Sequence, residues 1–180
     1  MKQTNQKIKV EHVSIFAIQA PPEFCFSKLS DEKIRRRAQD VLAIQMEPEA
    51  GGCFVISYQE PTGIETVQME ITEYSPPSVL KLTACSTEEH MTYTYCLKRM
   101  SSGTRLTIEM QFYIDRNGLN VIIYSFFKKK MGRKWNDYWR RLALEMEKEF
   151  RQWRFACQGM TYRCANPFFM NNRQRSYFVR

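Results

Sequence analysis

Between residues 79 and 112 the chain alternates apolar and polar side chains through three consecutive segments separated by turn residues. Successive side chains of a strand point to opposite faces, so this alternation calls for a sheet with one dry face and one wet face. Closing Val79–Thr87 on His90–Arg99 through Glu88-Glu89 pairs Leu80 with Leu97, Leu82 with Tyr95 and Ala84 with Tyr93. The other face then pairs Lys81 with Cys96 and Thr83 with Thr94. A second hairpin through Met100–Gly103 opposes Leu97 to Leu106, Tyr95 to Ile108 and Tyr93 to Met110. Both hairpins put the same residues on the same face, and a one-residue slip in either turns the apolar set to the wrong side. The chain is committed to an antiparallel meander that has to be covered on one face.

The cover follows in the sequence. Trp135, Trp139, Leu142, Met146, Phe150 and Trp153 recur every three or four residues, the period of an amphipathic α-helix. The opposite face of that helix carries Arg140, Arg141, Glu145, Lys148 and Arg151, so it is wet. Upstream, Val41–Met46, Cys53–Tyr58 and Ile64–Tyr74 read as further strands, broken by Pro48 to Gly52 and by Pro61-Thr62-Gly63. Ile8–Gln19 is a first strand. Prolines are tolerated in the first turn of a helix, so Pro21 and Pro22 open a short one over Glu23–Leu29. Ser30-Asp31 cap a second, containing Glu32–Arg37. The expected fold class is α+β: a curved antiparallel sheet of six to seven strands wrapped around a long C-terminal helix, with two short helices after the first strand.

Composition narrows the alternatives. The 180 residues suit one domain, expected over 1–155, followed by a basic, aromatic tail over 156–180 that is disordered or docked. The longest nearly apolar run, Val121–Phe127, is far short of the ~20 residues that span a bilayer. The polar Met1–Lys9 lacks the apolar stretch of a secretory signal, which points to a cytoplasmic protein. The six cysteines form no C-x-x-C pair and only two histidines are present, so no metal site and no cofactor are expected.

The charge of +8 is uneven: residues 1–126 sum to −2 and residues 127–180 to +10. Such asymmetry suggests an anionic partner, either a phospholipid surface or nucleic acid, or else a solvated basic face. Beside the basic block stands an apolar patch. Ile122, Ile123, Phe126 and Phe127, followed by Lys128, Lys129 and Lys130, are expected to form a lid or a peripheral membrane contact, hinged at Gly132.

The order of these segments resembles the START-like superfamily of polyketide cyclases, also called SRPBCC proteins, which have the helix-grip fold. The residues that carry the resemblance are Ala20-Pro21-Pro22-Glu23 with Phe26, Gly51-Gly52-Cys53-Phe54, Ile71 to Pro77, Tyr93 to Leu97, and Gly103 to Thr107. The match runs from about residue 8 to residue 154. Where many relatives carry a tryptophan after the short helices, this chain has Arg35-Arg36-Arg37.

The resemblance implies a cavity between sheet and helix. Alternation puts Phe54, Ile56 and Tyr58 on one face of their strand and Val67, Met69 and Ile71 on one face of theirs, and these supply its lining with Leu82, Tyr93, Tyr95, Ile108, Met110 and Phe112, closed by Trp135, Trp139 and Leu142. Apolar walls with three phenol hydroxyls suit a hydrophobic small molecule or a lipid, bound or carried. Two other readings stand beside that one. A cyclase or dehydratase acting on a polyketide-like ligand would use His12 as its one candidate acid or base, with the tyrosines. A basic module would contact nucleic acid or a protein partner through the C-terminal third.

Overall fold

The computed structural model describes residues 7–38, 41–60, 63–85, 90–115 and 118–159, with side chains described outside Glu60, Cys85, His90, 114–131 and 158–159. Strand β1 (Lys7–Ile18) buries every second residue, Val10, Ser14 and Ile18 most deeply. Helix α1 (Pro22–Lys28) starts on Pro21, whose carbonyl accepts the Cys25 N–H at 3.0 Å. Asp31 caps α2 (Glu32–Ala38), its Oδ1 accepting the N–H groups of Lys33 and Ile34 at 3.0 and 3.2 Å. Five strands follow in meander order: β2 (Val41–Met46), β3 (Cys53–Glu60), β4 (Gly63–Ser75), β5 (Val79–Cys85) and β6 (His90–Met100). Strand β7 (Gly103–Asp115) then leads into helix α3 (Gly118–Gly159).

The sheet order is β1-β7-β6-β5-β4-β3-β2, antiparallel throughout. The first strand pairs with the last, so the short helices lie between the two edge strands in sequence, and they share the core on the face that α3 covers. Gly103 makes that return possible: its φ is +141°, and a Cβ there would sit 2.1 Å from the Ile18 carbonyl oxygen. Thr104 beside it donates to the Ala20 carbonyl at 2.7 Å and pins the start of β7 to the end of β1.

Along α3 the stripe is buried most deeply in its middle, at Trp139, Leu142 and Met146. These side chains meet Ile56, Leu82, Tyr95 and Ile108 of the sheet in one core with Phe24, Leu29 and Ile34 of the short helices. Each such side chain contributes about 2 kcal/mol on burial, which makes the stripe the main attachment of helix to sheet. The architecture is the expected α+β grip, with seven strands.

Two expectations change. The β6–β7 register is the expected one, with Tyr93 opposite Met110 and Tyr95 opposite Ile108. The β5–β6 register is displaced by two residues: Leu80 faces Tyr95 and Leu82 faces Tyr93. A two-residue displacement leaves every side chain on its own face, so alternation cannot tell the two registers apart. The Leu97 N–H bond to the Ser78 carbonyl, at 2.7 Å, belongs to the observed one. The expected turn at Glu88-Glu89 lies outside the described residues.

The second change is at the helix. The backbone is helical without a break from Gly118 to Gly159, so the segment expected as a lid or membrane contact runs directly into the stripe helix as part of α3. A glycine inside a helix costs only about 1 kcal/mol relative to alanine and need not end it. Gly132 serves as a point of close approach, where an added Cβ would lie 3.4 Å from Cε1 of His12. The side chains of Ile122, Ile123, Phe126, Phe127, Lys128, Lys129 and Lys130 are outside the described residues, as are residues 160–180 of the tail.

Candidate functional site

Three consecutive arginines on α2 leave the helix about 100° apart, so they cannot share an environment. The buried positions of α2 are Ile34, Arg35 and Ala38, which puts Arg35 on the apolar face. Arg35 is 2% exposed and enters the space between α3 and the sheet. Its Nε donates to the Leu29 carbonyl at 2.8 Å and its Nη1 donates to the Tyr138 hydroxyl. Its guanidinium lies 5.5 Å from the ring centroid of Trp139, 5.8 Å from that of Tyr95 and 5.9 Å from that of Tyr138. A desolvated cation over such faces gains about 2 kcal/mol from the ring quadrupoles.

Among the described residues no carboxylate pairs with Arg35. Burial works against its charge, while the phenol oxygens of Tyr138 and Tyr95 favour it, and the guanidinium stays ionised. Tyr58 and Tyr93 border the same cluster. Burial raises the pKa of Tyr58, of Tyr93 and of Tyr138, with Arg35 pulling the other way in each case. All three are therefore neutral phenols near neutral pH. Trp139, 4% exposed, stacks edge-on against Tyr95 at 5.6 Å and lies 4.2 Å from Tyr138 between ring centroids. Its Nε1 is buried and finds no acceptor among the described residues.

The result is a buried cluster rich in donors: a guanidinium with five N–H groups, phenol hydroxyls and an indole N–H. Its acceptors are the Leu29 carbonyl and the phenol oxygens themselves, so donors outnumber them. Such a cluster can bind an oxygen-bearing group that carries negative charge, or polarise a carbonyl.

His12 makes a different arrangement. It faces inward from β1, and its Nε2 lies 3.1 Å from Ser14 Oγ. Ser14 Oγ in turn donates to Asn136 Oδ1 at 2.7 Å. With the serine hydrogen given to Asn136, the imidazole Nε2–H is the donor to Ser14, which fixes the tautomer. Burial lowers the His12 pKa, so the ring is neutral at pH 7. It packs against Trp135 at 5.6 Å and beneath Gly132. His12 stands opposite Met110, which stands opposite Tyr93, so two strand spacings, about 10 Å, separate it from the tyrosine row. The chain His12–Ser14–Asn136 ties β1 to α3.

The expected lining residues all face the side that α3 covers. Phe54, Ile56, Met69, Ile71, Leu82, Tyr95, Ile108, Met110, Trp139 and Leu142 are buried, and Tyr58, Val67, Tyr93, Phe112 and Trp135 are half-buried. The structure gathers Tyr58, Tyr93, Tyr95 and Trp139 into one cluster and leaves His12 outside it. Arg35 and Tyr138 were missing from the expectation. The signal for Arg35 was its helical phase, shared with Ile34 and Ala38. The signal for Tyr138 was its place beside the stripe residue Trp139. Cys25 is fully buried and its thiol is pushed up to about 11 by burial, which keeps it unreactive. No group of residues able to hold a metal ion occurs among the described residues. No helix among them is long and apolar enough to cross a membrane.

No family profile and no curated protein matches the sequence. Solved structures do match the fold. A Staphylococcus aureus protein of unknown function superposes with a TM-score of 0.65 at 13% identity, over 84% of this chain and 100% of that one. A Nitrosomonas europaea protein gives 0.58 at 15% identity, over 83% of this chain and 99% of that one. The di-domain ARO/CYC StfQ from the steffimycin biosynthetic pathway gives 0.60 at 12% identity, over 78% of this chain and 51% of the di-domain chain. At these identities the likeness establishes the architecture alone.

Proposed function

We propose that this chain, which has the helix-grip fold of the START-like superfamily, binds a hydrophobic small molecule or lipid between the sheet and α3. The observation that carries the proposal is the placement of Arg35 and four tyrosines inside an otherwise apolar interior. A core built only for stability has no use for an ion there, since burying one costs several kcal/mol. Apolar walls with a few oriented polar groups are the general form of a ligand site. The lining named above supplies the walls, and the Arg35 cluster supplies the polar groups.

A cyclase-like reading is favoured by one observation, the likeness to the ARO/CYC StfQ. Under it, the donor cluster would stabilise an enolate of a polyketide-like ligand. The basic C-terminal third adds a proposed contact with an anionic membrane surface. Nucleic-acid binding is the alternative use of that charge.

Ligand binding is tested by mass spectrometry of gently purified protein and by titration with Nile red, a neutral apolar dye. Saturable binding of about one dye per chain and a co-purified small molecule are the expected results. Absence of both would reject the pocket.

A further inference from the structure

We propose that the ligand is an apolar monocarboxylate whose head group seats on Arg35, with Trp139 Nε1 as a further donor; this rests on the ligand-binding reading above. The first observation is a guanidinium 2% exposed, inside aromatic walls, with no counterion among the described residues. The second is independent of it: the indole N–H of Trp139, whose ring the guanidinium covers, is buried and has no acceptor among the described residues. Leaving a buried donor unmade is costly, and leaving a buried charge uncompensated is costlier. One acceptor-rich anion would satisfy both.

Charge and shape select the class. The neighbours of Arg35 among the described residues are neutral: Tyr58 from β3, Tyr93 and Tyr95 from β6, Tyr138 and Trp139 from α3, and the Leu29 carbonyl after α1. A single buried cation balances a single negative charge. A phosphate monoester, near two charges at neutral pH, would bring an excess into the same interior. The planar fork of a guanidinium also matches the two coplanar oxygens of a carboxylate. An alcohol or ester of the same tail would fill the apolar walls and leave the cation unmatched.

The neighbouring arginines show that the chain has the means to neutralise such charges. Arg37 takes Glu145 and Glu149, and Arg36 takes Glu32 one turn away. Arg35 alone of the three is turned inward, to a place without a carboxylate among the described residues.

The experiment uses the full chain and three ligands with one tail: dodecanoate, dodecanol and dodecyl phosphate, each displacing bound Nile red. In the wild type, dodecanoate is expected to displace the dye at about tenfold lower concentration than either of the others. Arg35→Met is expected to lose that preference, because a charge-assisted contact disappears while the walls remain. Trp139→Phe keeps the ring and removes only the N–H, so the preference should shrink about threefold. Arg35→Lys keeps charge without the fork and is expected to fall between wild type and Arg35→Met. Melting curves of each variant establish that it is folded.

Nile red binding with equal displacement by dodecanoate and dodecanol would overturn the carboxylate proposal and leave the pocket standing. A preference for dodecyl phosphate would overturn it as well. So would a carboxylate preference that survives in folded Arg35→Met. Failure of the wild type to bind Nile red at all would reject the pocket, and the proposal with it.

Discussion

Arg35 and Arg37 lie two residues apart on one short helix and meet α3 in opposite ways. Arg37 reaches the outer seam, where its Nε and Nη2 lie 2.6 Å from Glu145 and Glu149. Lys28 joins the same seam at 2.6 Å from Glu149 and 2.9 Å from Asp31. These groups stay partly wet; the Arg37 side chain is 43% exposed and that of Glu149 28%. Arg35 reaches the inner cluster, where its partners are a carbonyl, phenols and ring faces. The seam therefore has the form of a docking contact between helices, with each cation matched. The cluster has the form of a binding group, with a cation held ready and unmatched. Residue type is the same; the helical phase decides the role.

The packing of α3 supports both regions, so removing it should break both at once. Leu142 is fully buried under the helix, between seam and cluster. Leu142→Ala is expected to cost about 3–4 kcal/mol, the largest effect among these variants, from lost burial and the cavity left behind. Chemical unfolding checks it. A loss below about 1 kcal/mol would mean that α3 is held chiefly by its polar seam.

Arg35→Met separates the two regions. In ligand-free protein it is expected to raise stability by about 1 kcal/mol, since an apolar side chain of similar length replaces an uncompensated buried ion. A residue kept at a cost to stability is what a functional site shows. Thermal melts of wild type and variant without ligand give the sign. A loss of several kcal/mol would instead make Arg35 a structural brace and remove the contrast with Arg37.

How much of this was legible in the chain depends on which period carried the information. Strand alternation showed Phe54, Ile56, Tyr58, Tyr93 and Tyr95 on one face, and that face is the covered one. The same alternation could not choose between two registers of β5 on β6, because it repeats every two residues. The helix stripe was legible from Trp135 to Trp153, where one face is apolar and the other charged. The start of α3 was not, because Val121–Phe127 is apolar all round and has no helical contrast to read. Arg35 was hidden by its company. Three arginines together read as a solvated run, and only their phase against Ile34 and Ala38 distinguishes the one that turns in. His12 faced the interior as an acid or base would have to, but its bond to Ser14 and its distance from the tyrosines came from the third dimension.

Glu149→Gln sharpens the seam side of the comparison. Glu149 answers both Lys28 and Arg37, so its removal is expected to cost about 0.5–1 kcal/mol at neutral pH. Burial works against the Glu149 carboxylate, but its bonds to Lys28 and Arg37 win and its pKa is lowered. A carboxylate with a lowered folded value stabilises the protein above its unfolded pKa, about 4.3, and the contribution fades as pH falls through the folded value. The difference between wild type and variant should therefore shrink below about pH 4 and also with added salt. A difference unchanged in acid and in salt would mean that packing, not charge, holds the seam.

The smallest effect should come from His12, outside the cluster. Burial lowers its pKa, so the folded protein keeps it neutral while the unfolded chain protonates it near pH 6.5. The unfolded state then binds more protons through that window, and stability rises with pH there. The contribution is whole above the unfolded value and is lost as pH falls from about 6.5 through the folded value. His12→Gln keeps a donor for Ser14 and cannot titrate, so it should flatten the rise of melting temperature with pH that sets in below about 6.5, the unfolded value. Dodecanoate displacement of Nile red should be unchanged by the same substitution, because His12 stands about 10 Å from the tyrosine row. A variant that keeps the slope would place the titrating group elsewhere. A variant that loses carboxylate binding would extend the cluster to β1 and join two sites that the structure holds apart.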